Sequence, residues 1–365
     1  MSLILKDIHL HDGVEDLAAG INAEFRPGMN ILLGPTLAGK TSLMRIIAGL
    51  MKPDSGEISL AGENLLKVDV RKRSVAFVYQ QFINYPAFSV FDNIASPLKV
   101  ATENYSKQEI KDRVEEVAEL LGLTPFLKRK PSALSGGQQQ RVAIARALAR
   151  KSDIVLLDEP LANLDYKLRE QLREELQNIF EGSDSVVLYS TAEPAEAMYF
   201  SAPTFVMHEG KIIQKGTAAE IYSKPENLFS AKAISDPPIN LVDAVHKSGE
   251  IAFADVQIQL SDLPELFDNV SSFRLGIQPH DLYPEEFAGS VKISGIVQLA
   301  EVTGSSTFVH LQLTSGDEIV MEIDGANPMN PGIQVQAHFD PKSIYAFDPE
   351  TQSTISYPQR SVVNG

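Results

Sequence analysis

The eight residues Gly34-Pro35-Thr36-Leu37-Ala38-Gly39-Lys40-Thr41 fit the pattern G-x-x-x-x-G-K-[ST], with a short apolar run at 30–33 before them and a helical pattern through Ile47 after them. Few features restrict a fold so strongly. A strand, a glycine-bearing turn and a helix start, in that order, aim backbone N–H groups and a positive helix end at one point, which makes a cradle for a polyphosphate. Lys40 is expected to reach the β- and γ-phosphates and Thr41 to bind Mg²⁺. Gly34, Pro35, Thr36, Leu37, Ala38, Gly39 and Ser42 complete the expected nucleotide contacts.

The surrounding chain suits such a loop. Residues 1–235 alternate apolar runs with amphipathic segments, the βαβ pattern of a mainly parallel sheet covered by helices. Runs at 75–79, 154–157 and 186–189 are rich in Val, Ile and Leu, as strands buried on both faces require. Ser106-Lys107-Gln108-Glu109 reads as a capping box opening a helix that runs to about Gly122, and Leu164, Leu168, Leu172 and Leu176 form a stripe at helical spacing. After Ser235-Asp236-Pro237-Pro238 the period changes to two, as in Val309, Leu311 and Leu313, or Ile333, Val335, Ala337 and Phe339. The expected division is therefore an α/β domain over 1–235 and a small all-β barrel or sandwich over 236–365.

Composition narrows the function classes. Lys plus Arg number 32 against 48 Asp plus Glu, a net charge of −16, and the only basic clusters are Arg71-Lys72-Arg73 and Lys128-Arg129-Lys130. A nucleic-acid partner is not expected with that average field. The absence of cysteine excludes disulfides, thiolate metal sites and thiol nucleophiles. Lys6 and Asp7 interrupt any secretory signal, and no apolar run approaches the roughly 18 to 20 residues of a membrane helix, so a membrane role is expected only through a partner.

Ile154-Val155-Leu156-Leu157-Asp158-Glu159 is an apolar strand ending in two carboxylates. In a parallel sheet its carboxyl end lies beside the phosphate loop, so Asp158 is suited to hold Mg²⁺ and Glu159 to polarise the water that attacks the γ-phosphate. Alone, such a pair is more often a helix cap; beside the first motif it reads as catalytic.

Leu134-Ser135-Gly136-Gly137-Gln138-Gln139-Gln140-Arg141 resembles the signature motif of ATP-binding cassette (ABC) ATPases. The resemblance implies a head-to-tail dimer in which Ser135, Gly136, Gly137 and Gln138 close on the ATP held by the other cassette. It further implies a P-loop ABC cassette over 1–235 with an OB-like regulatory barrel over 236–365. In Tyr79-Gln80-Gln81-Phe82, Gln80 resembles the family glutamine that touches Mg²⁺ and leads into the segment facing the membrane subunits. Asn84-Tyr85-Pro86-Ala87-Phe88-Ser89-Val90 is similar to the same segment of sugar-importer ATPases, and Leu161-Ala162-Asn163-Leu164-Asp165 to the loop joining the two active sites. Phe273-Arg274-Leu275-Gly276-Ile277-Gln278-Pro279-His280, Val302-Thr303-Gly304-Ser305 and Phe339-Asp340-Pro341 resemble the regulatory barrel of maltose-type importer ATPases, a dimerisation module or a sensor.

Three positions depart from the family. Ala192 stands where a histidine contacts the γ-phosphate, and loss of such a preorganised donor costs roughly 2.7 to 4 kcal/mol of barrier. Asp12 replaces the aromatic residue under the adenine, with His9 and His11 as the neighbouring rings, and Leu37 replaces a common glycine. All three belong to this chain's own nucleotide, whereas the signature residues are intact. The resemblance thus implies an importer ATPase for a sugar, polyol, glycerol or glycerol phosphate, binding ATP and Mg²⁺ at the cytoplasmic face of the inner membrane. The implied partners are permease subunits, a second and unlike ATPase subunit in preference to a homodimer, and, indirectly, a solute-binding protein. Two readings remain beside it: a soluble cassette ATPase in nucleic-acid or translation work, and a non-hydrolysing partner subunit.

Overall fold

The computed structural model describes residues 1–81, 83–100, 105–162, 164–247, 250–259 and 271–359; Phe82 and Asn163, quoted in two of the motifs above, lie outside the described residues. The chain divides into two compact units, Met1–Ala218 and Ala219–Gly365.

The first unit runs β1 (Leu3–His11), β2 (Asp16–Phe25), β3 (Gly28–Leu33), α1 (Lys40–Ala48), β4 (Ser55–Leu60), β5 (Glu63–Asn64), β6 (Val75–Val78), α2 (Val90–Lys99), α3 (Lys107–Leu120), α4 (Gly136–Ala149), β7 (Ile154–Asp158), α5 (Tyr166–Phe180), β8 (Val186–Thr191), α6 (Pro194–Phe200), β9 (Pro203–His208) and β10 (Lys211–Thr217). Its six-stranded sheet has the order β10-β9-β3-β8-β7-β6, parallel except for β10 at one edge. Every residue of β7 and β8 is buried, which explains their unbroken apolar runs. Because β3 lies between β8 and β9, and β7 follows β8, the carboxyl ends of distant segments meet at one edge.

A second sheet, β2-β1-β4-β5, is antiparallel and is not foreshadowed by the sequence pattern. The inward residues Leu3, Leu5, Ile8 and Leu10 lose their period of two at an irregularity between Leu5 and Ile8, where Asp7 takes a φ of 50°. The capping box is present: Glu109 N–H donates to Ser106 Oγ at 3.2 Å and Ser106 N–H to Glu109 Oε2 at 2.7 Å. The leucine stripe is shorter than its spacing predicts. Asp165 caps α5, so Leu164 precedes the helix, while Leu172 and Leu176 are fully buried and Leu168 is half-buried.

From the division onward, α7 (Ala218–Ser223), whose first residue still belongs to the first unit, and α8 (Leu228–Ala233) precede the strands β11 (Asn240–Lys247), β12 (Glu250–Phe253), β13 (Val256–Gln259), β14 (Ser272–Ile277), β15 (Val291–Val302), β16 (Ser306–Leu313), β17 (Glu318–Asp324), β18 (Gln334–Phe339), β19 (Tyr345–Phe347) and β20 (Thr354–Ser356). The change of sequence period at 236 falls later than the division of the fold. Leu228 and Ala231 of α8 pack with Ile239, Tyr345 and Phe347, which places residues 219–235 with the strands despite their helical texture. Two antiparallel sheets, β13-β12-β11-β14-β19-β20 and β17-β16-β15-β18, share one apolar core. Val309, Leu311 and Leu313 point into it from alternate positions of β16. Among the described residues, no helix is long and apolar enough to cross a membrane.

Candidate functional site

The glycines of the phosphate loop answer to packing and to backbone conformation. A Cβ on Gly34 would stand 2.4 Å from the carbonyl oxygen of Met207 on β9, and Gly34 N–H donates to the carbonyl of Thr191 on β8 at 3.2 Å. Gly39 takes a φ of 97° at the N-cap of α1, where a Cβ would lie 2.8 Å from the Leu17 carbonyl. No side chain caps this helix, so its first N–H groups are left for a ligand. Leu37 also adopts a left-handed φ, 70°, with 84% of its surface exposed. For a residue with a Cβ that conformation costs roughly 1–2 kcal/mol.

Lys40 is 4% exposed, and its ammonium donates to the carbonyls of Gly34 at 2.6 Å and Pro35 at 2.9 Å while Nζ lies 3.2 Å from Glu159 Oε1. Burial pulls its pKa down, and the Glu159 and Asp158 carboxylates oppose that. The cation faces the loop it must serve.

Segments far apart in the chain converge here. Thr41 Oγ1 donates to Asp158 Oδ1 at 3.0 Å, and Ser190 Oγ donates to the same oxygen at 2.8 Å. Asp158 is 3% exposed; burial raises its pKa, and the two hydroxyl hydrogen bonds work against the rise. Glu159, at a φ of 44°, is held by its N–H donating to Ser190 Oγ at 3.0 Å, and its Oε2 accepts from Gln80 Nε2 at 2.7 Å. A hydroxyl, a buried carboxylate and an amide carbonyl are hard oxygen donors, a set that fits Mg²⁺. Lys40, Thr41, Asp158, Glu159 and Gln80 therefore form one connected cluster. Ser190 is not singled out by any motif; the available signal is the polar pair Ser190-Thr191 ending an otherwise apolar buried strand.

Ser135, Gly136, Gly137 and Gln138 form the start of α4. Ser135 Oγ accepts from Gln138 N–H at 3.3 Å, and Gln138 Oε1 from Ser135 N–H at 3.1 Å, so the start of α4 is capped from within. The two glycines differ. A Cβ on Gly137 would fall 1.9 Å from Leu168 Cδ2, a packing requirement, whereas a Cβ on exposed Gly136 meets nothing within 4 Å. Gly136 has no reason inside the chain to be glycine.

At the departures, Ala192 is exposed immediately after β8, next to the Thr191 carbonyl that holds Gly34. Asp12 builds the turn between β1 and β2, accepting from Val14 N–H at 2.9 Å and Glu15 N–H at 3.0 Å. Those backbone donors, Glu15 first, hold its carboxyl below the usual range. His9 and His11 each face a carboxylate, Asp7 at 2.9 Å and Asp16 at 3.1 Å.

Comparison with known proteins agrees with this geometry. A family model described as ABC transporter matches residues 19–162, and one described as TOBE domain matches residues 275–347. The chain is 39% identical over 345 residues to the trehalose/maltose import ATP-binding protein of Thermococcus litoralis, covering 89% of this chain and 91% of that protein. It is 35% identical over 359 residues to the alpha-glucoside transport ATP-binding protein of Rhizobium meliloti, covering 96% and 98%. A solved dimeric ATP-binding cassette in a post-hydrolysis state with ADP and Pi superposes with a TM-score of 0.53 at 28% identity, over 59% of this chain and 98% of that one. With a phosphate loop, a carboxylate pair and a signature helix in place on a shared fold, the chain belongs to the ATP-binding proteins of ABC transporters and is an ATPase with a C-terminal TOBE domain.

Proposed function

We propose that this chain powers the import of a sugar, polyol, glycerol or glycerol phosphate through integral membrane permease subunits, bound peripherally at the cytoplasmic face of the inner membrane. The observation that carries this reading is the connected cluster of Lys40, Thr41, Asp158, Glu159 and Gln80 at the carboxyl edge of the parallel sheet. The names of the relatives, which import trehalose, maltose and alpha-glucosides, support the solute class. In this mechanism the N–H groups of residues 34–42 and the Lys40 ammonium bind the ATP phosphates. Thr41, Asp158 and Gln80 would hold Mg²⁺, which neutralises phosphate charge when bound. Glu159 orients the attacking water and takes its proton. Ser135, Gly136, Gly137 and Gln138 close on the nucleotide of a second cassette, a role that fits an exposed Gly136 with open space before it.

The permease-facing surface is the segment after Gln80. Asn93, fully buried, donates its amide to the carbonyls of Tyr85 at 3.1 Å and Ser89 at 2.9 Å, and so presents Tyr85 and Phe88, 47% and 44% exposed. These rings, with Phe77, Pro97 and Val100, line a groove of about 500 Å³. Uptake by the reconstituted complex should vanish with Lys40→Ala, and unchanged uptake would overturn the reading.

The second cassette is proposed to be a different polypeptide. Ala192, Asp12 and Leu37 all belong to this chain's own site, so a homodimer would lack the γ-phosphate histidine twice, at roughly 10²- to 10³-fold in rate. Separating the ATPase chains of the purified complex by mass tests this. Only this polypeptide, with full turnover, would end the heterodimer proposal.

A further inference from the structure

Beyond the cluster itself, the first turn of α5 ties the end of β8 to the loop that leaves Glu159. Arg169 Nη1 donates to Glu193 Oε2 at 2.5 Å, and Nη2 donates to the carbonyl of Leu164 at a long 3.5 Å. Glu193 follows Ala192, and its N–H donates to Thr191 Oγ1 at 2.9 Å. Thr191 in turn accepts Gly34 N–H through its carbonyl. On the other side, Leu164 lies in the loop that leaves Glu159, whose carbonyl accepts Ala162 N–H at 3.2 Å. Asp165 fixes the turn from which Arg169 reaches out, accepting Leu168 N–H at 3.0 Å. Residues 190–193 are thus joined to the strand end and the loop beyond it by two rungs: Ser190 binding Asp158 and Glu159 at one end, and Arg169 binding Glu193 and Leu164 at the other. Ala192, between the rungs, has no polar side chain of its own to hold the segment in place.

We infer that Arg169 is a positioning residue for ATP hydrolysis: its link to Glu193 keeps residues 191–193 in register with the loop carrying Glu159, so that both close on the nucleotide as one body. The inference rests on the proposed role of Glu159. It distinguishes positioning from stability, because the pair is partly exposed, 26% at Arg169 and 46% at Glu193, and ion pairs of that kind contribute little to folding.

The test uses the full-length chain in its assembled complex, with the second cassette's equivalent catalytic carboxylate replaced by its amide so that turnover reports this chain's own site, and reads kcat and KM for Mg-ATP from phosphate release, affinity from a fluorescent ATP analogue, and thermal melting. Arg169→Ala should lower kcat by about 10- to 100-fold, the scale of a small misplacement of reacting groups. KM and analogue affinity should stay within about 2-fold, the signature of an interaction realised only in the transition state. The melting temperature should move by no more than about 3 °C. Arg169→Lys, which keeps the charge but loses the fork, should fall between Arg169→Ala and wild type. The exchange of Arg169→Glu with Glu193→Arg should recover part of kcat, because it restores the ion pair but leaves the Leu164 carbonyl without its donor. Unchanged kcat in Arg169→Ala, or an exchange no better than the single variants with melting falling in step, would overturn the proposal. Lys40→Ala, run alongside, separates the two levels: retained analogue binding there refutes the phosphate-loop reading whatever Arg169 does.

Discussion

Replacing Glu159 by glutamine should tighten ATP binding while stopping turnover, and the geometry gives both magnitudes. Glu159 Oε1 lies 3.2 Å from the Lys40 ammonium, with the two side chains 19% and 4% exposed. At an effective dielectric of about 20, unit charges at that separation attract by about 5 kcal/mol. An incoming phosphate competes with the carboxylate for the ammonium and regains most of that attraction. If about a quarter is not regained, the wild-type carboxylate weakens binding by about 1.4 kcal/mol, or tenfold in Kd. The substituted amide would keep the size of the side chain and a hydrogen bond with Gln80 but carry no charge and accept no proton. Loss of a general base lowers turnover at this chain's own site by about 10²- to 10⁴-fold, read in a complex whose second cassette has its equivalent carboxylate replaced by the amide. Titration with a fluorescent ATP analogue reads the first effect, phosphate release the second, and ATP-dependent dimer on a sizing column should persist because bound ATP favours the closed form. Weaker binding in the variant, or turnover above about a tenth of wild type, would refute the assignment of Glu159 as a base held by Lys40.

Ser135→Arg should leave nucleotide affinity of the isolated monomer within about 2-fold and abolish turnover of the assembled complex, because that segment is capped from within and its proposed role is on the nucleotide of the second cassette. A collapse of monomer affinity would place the motif in the chain's own site. Leu37→Gly removes left-handed strain of roughly 1–2 kcal/mol but adds about 0.4–1 kcal/mol of unfolded-state entropy, so denaturation should show stability unchanged or up to about 1.5 kcal/mol higher. A clear loss would mean that the exposed leucine makes a contact the nucleotide-free loop needs. Glu196 is 3% exposed and accepts from the fully buried Tyr189 hydroxyl at 2.9 Å. Burial raises its pKa above the ordinary 4.5, so the folded chain holds this proton where the unfolded chain has lost it. Stability from this group is therefore greatest at or below pH 4.5 and is lost as pH rises through the folded value. Relative to wild type, Glu196→Gln should gain melting temperature as pH rises above 4.5; a difference that stays flat as pH rises would contradict the sign.

Much of the fold and half of the site are legible from residue order because they are local. The phosphate loop needs only a strand, two constrained glycines and a helix start, and the capping boxes at Ser106 and Ser135 each close within a single turn. Strands buried on both faces announce themselves as apolar runs, and half-buried ones by alternation, so the parallel sheet and the β-rich C-terminal region can be read directly. The antiparallel sheet near the N-terminus cannot, because its irregularity at Asp7 breaks the alternation on which such a reading depends.

What tertiary structure alone decided is which distant residues meet. The periodicity of β8 shows that it is buried but not that it lies between β3 and β7, and only that order lets Ser190 bind Asp158 and Glu159, or Thr191 bind Gly34. The pattern around Gly137 marks a helix start; the position of Leu168 on another helix is what forbids a side chain there. Hydrogen bonds within a turn depend on a few neighbouring dihedrals, which the residues themselves restrict. Strand order and helix packing depend on how the whole chain buries its apolar surface, a property no short stretch of sequence contains.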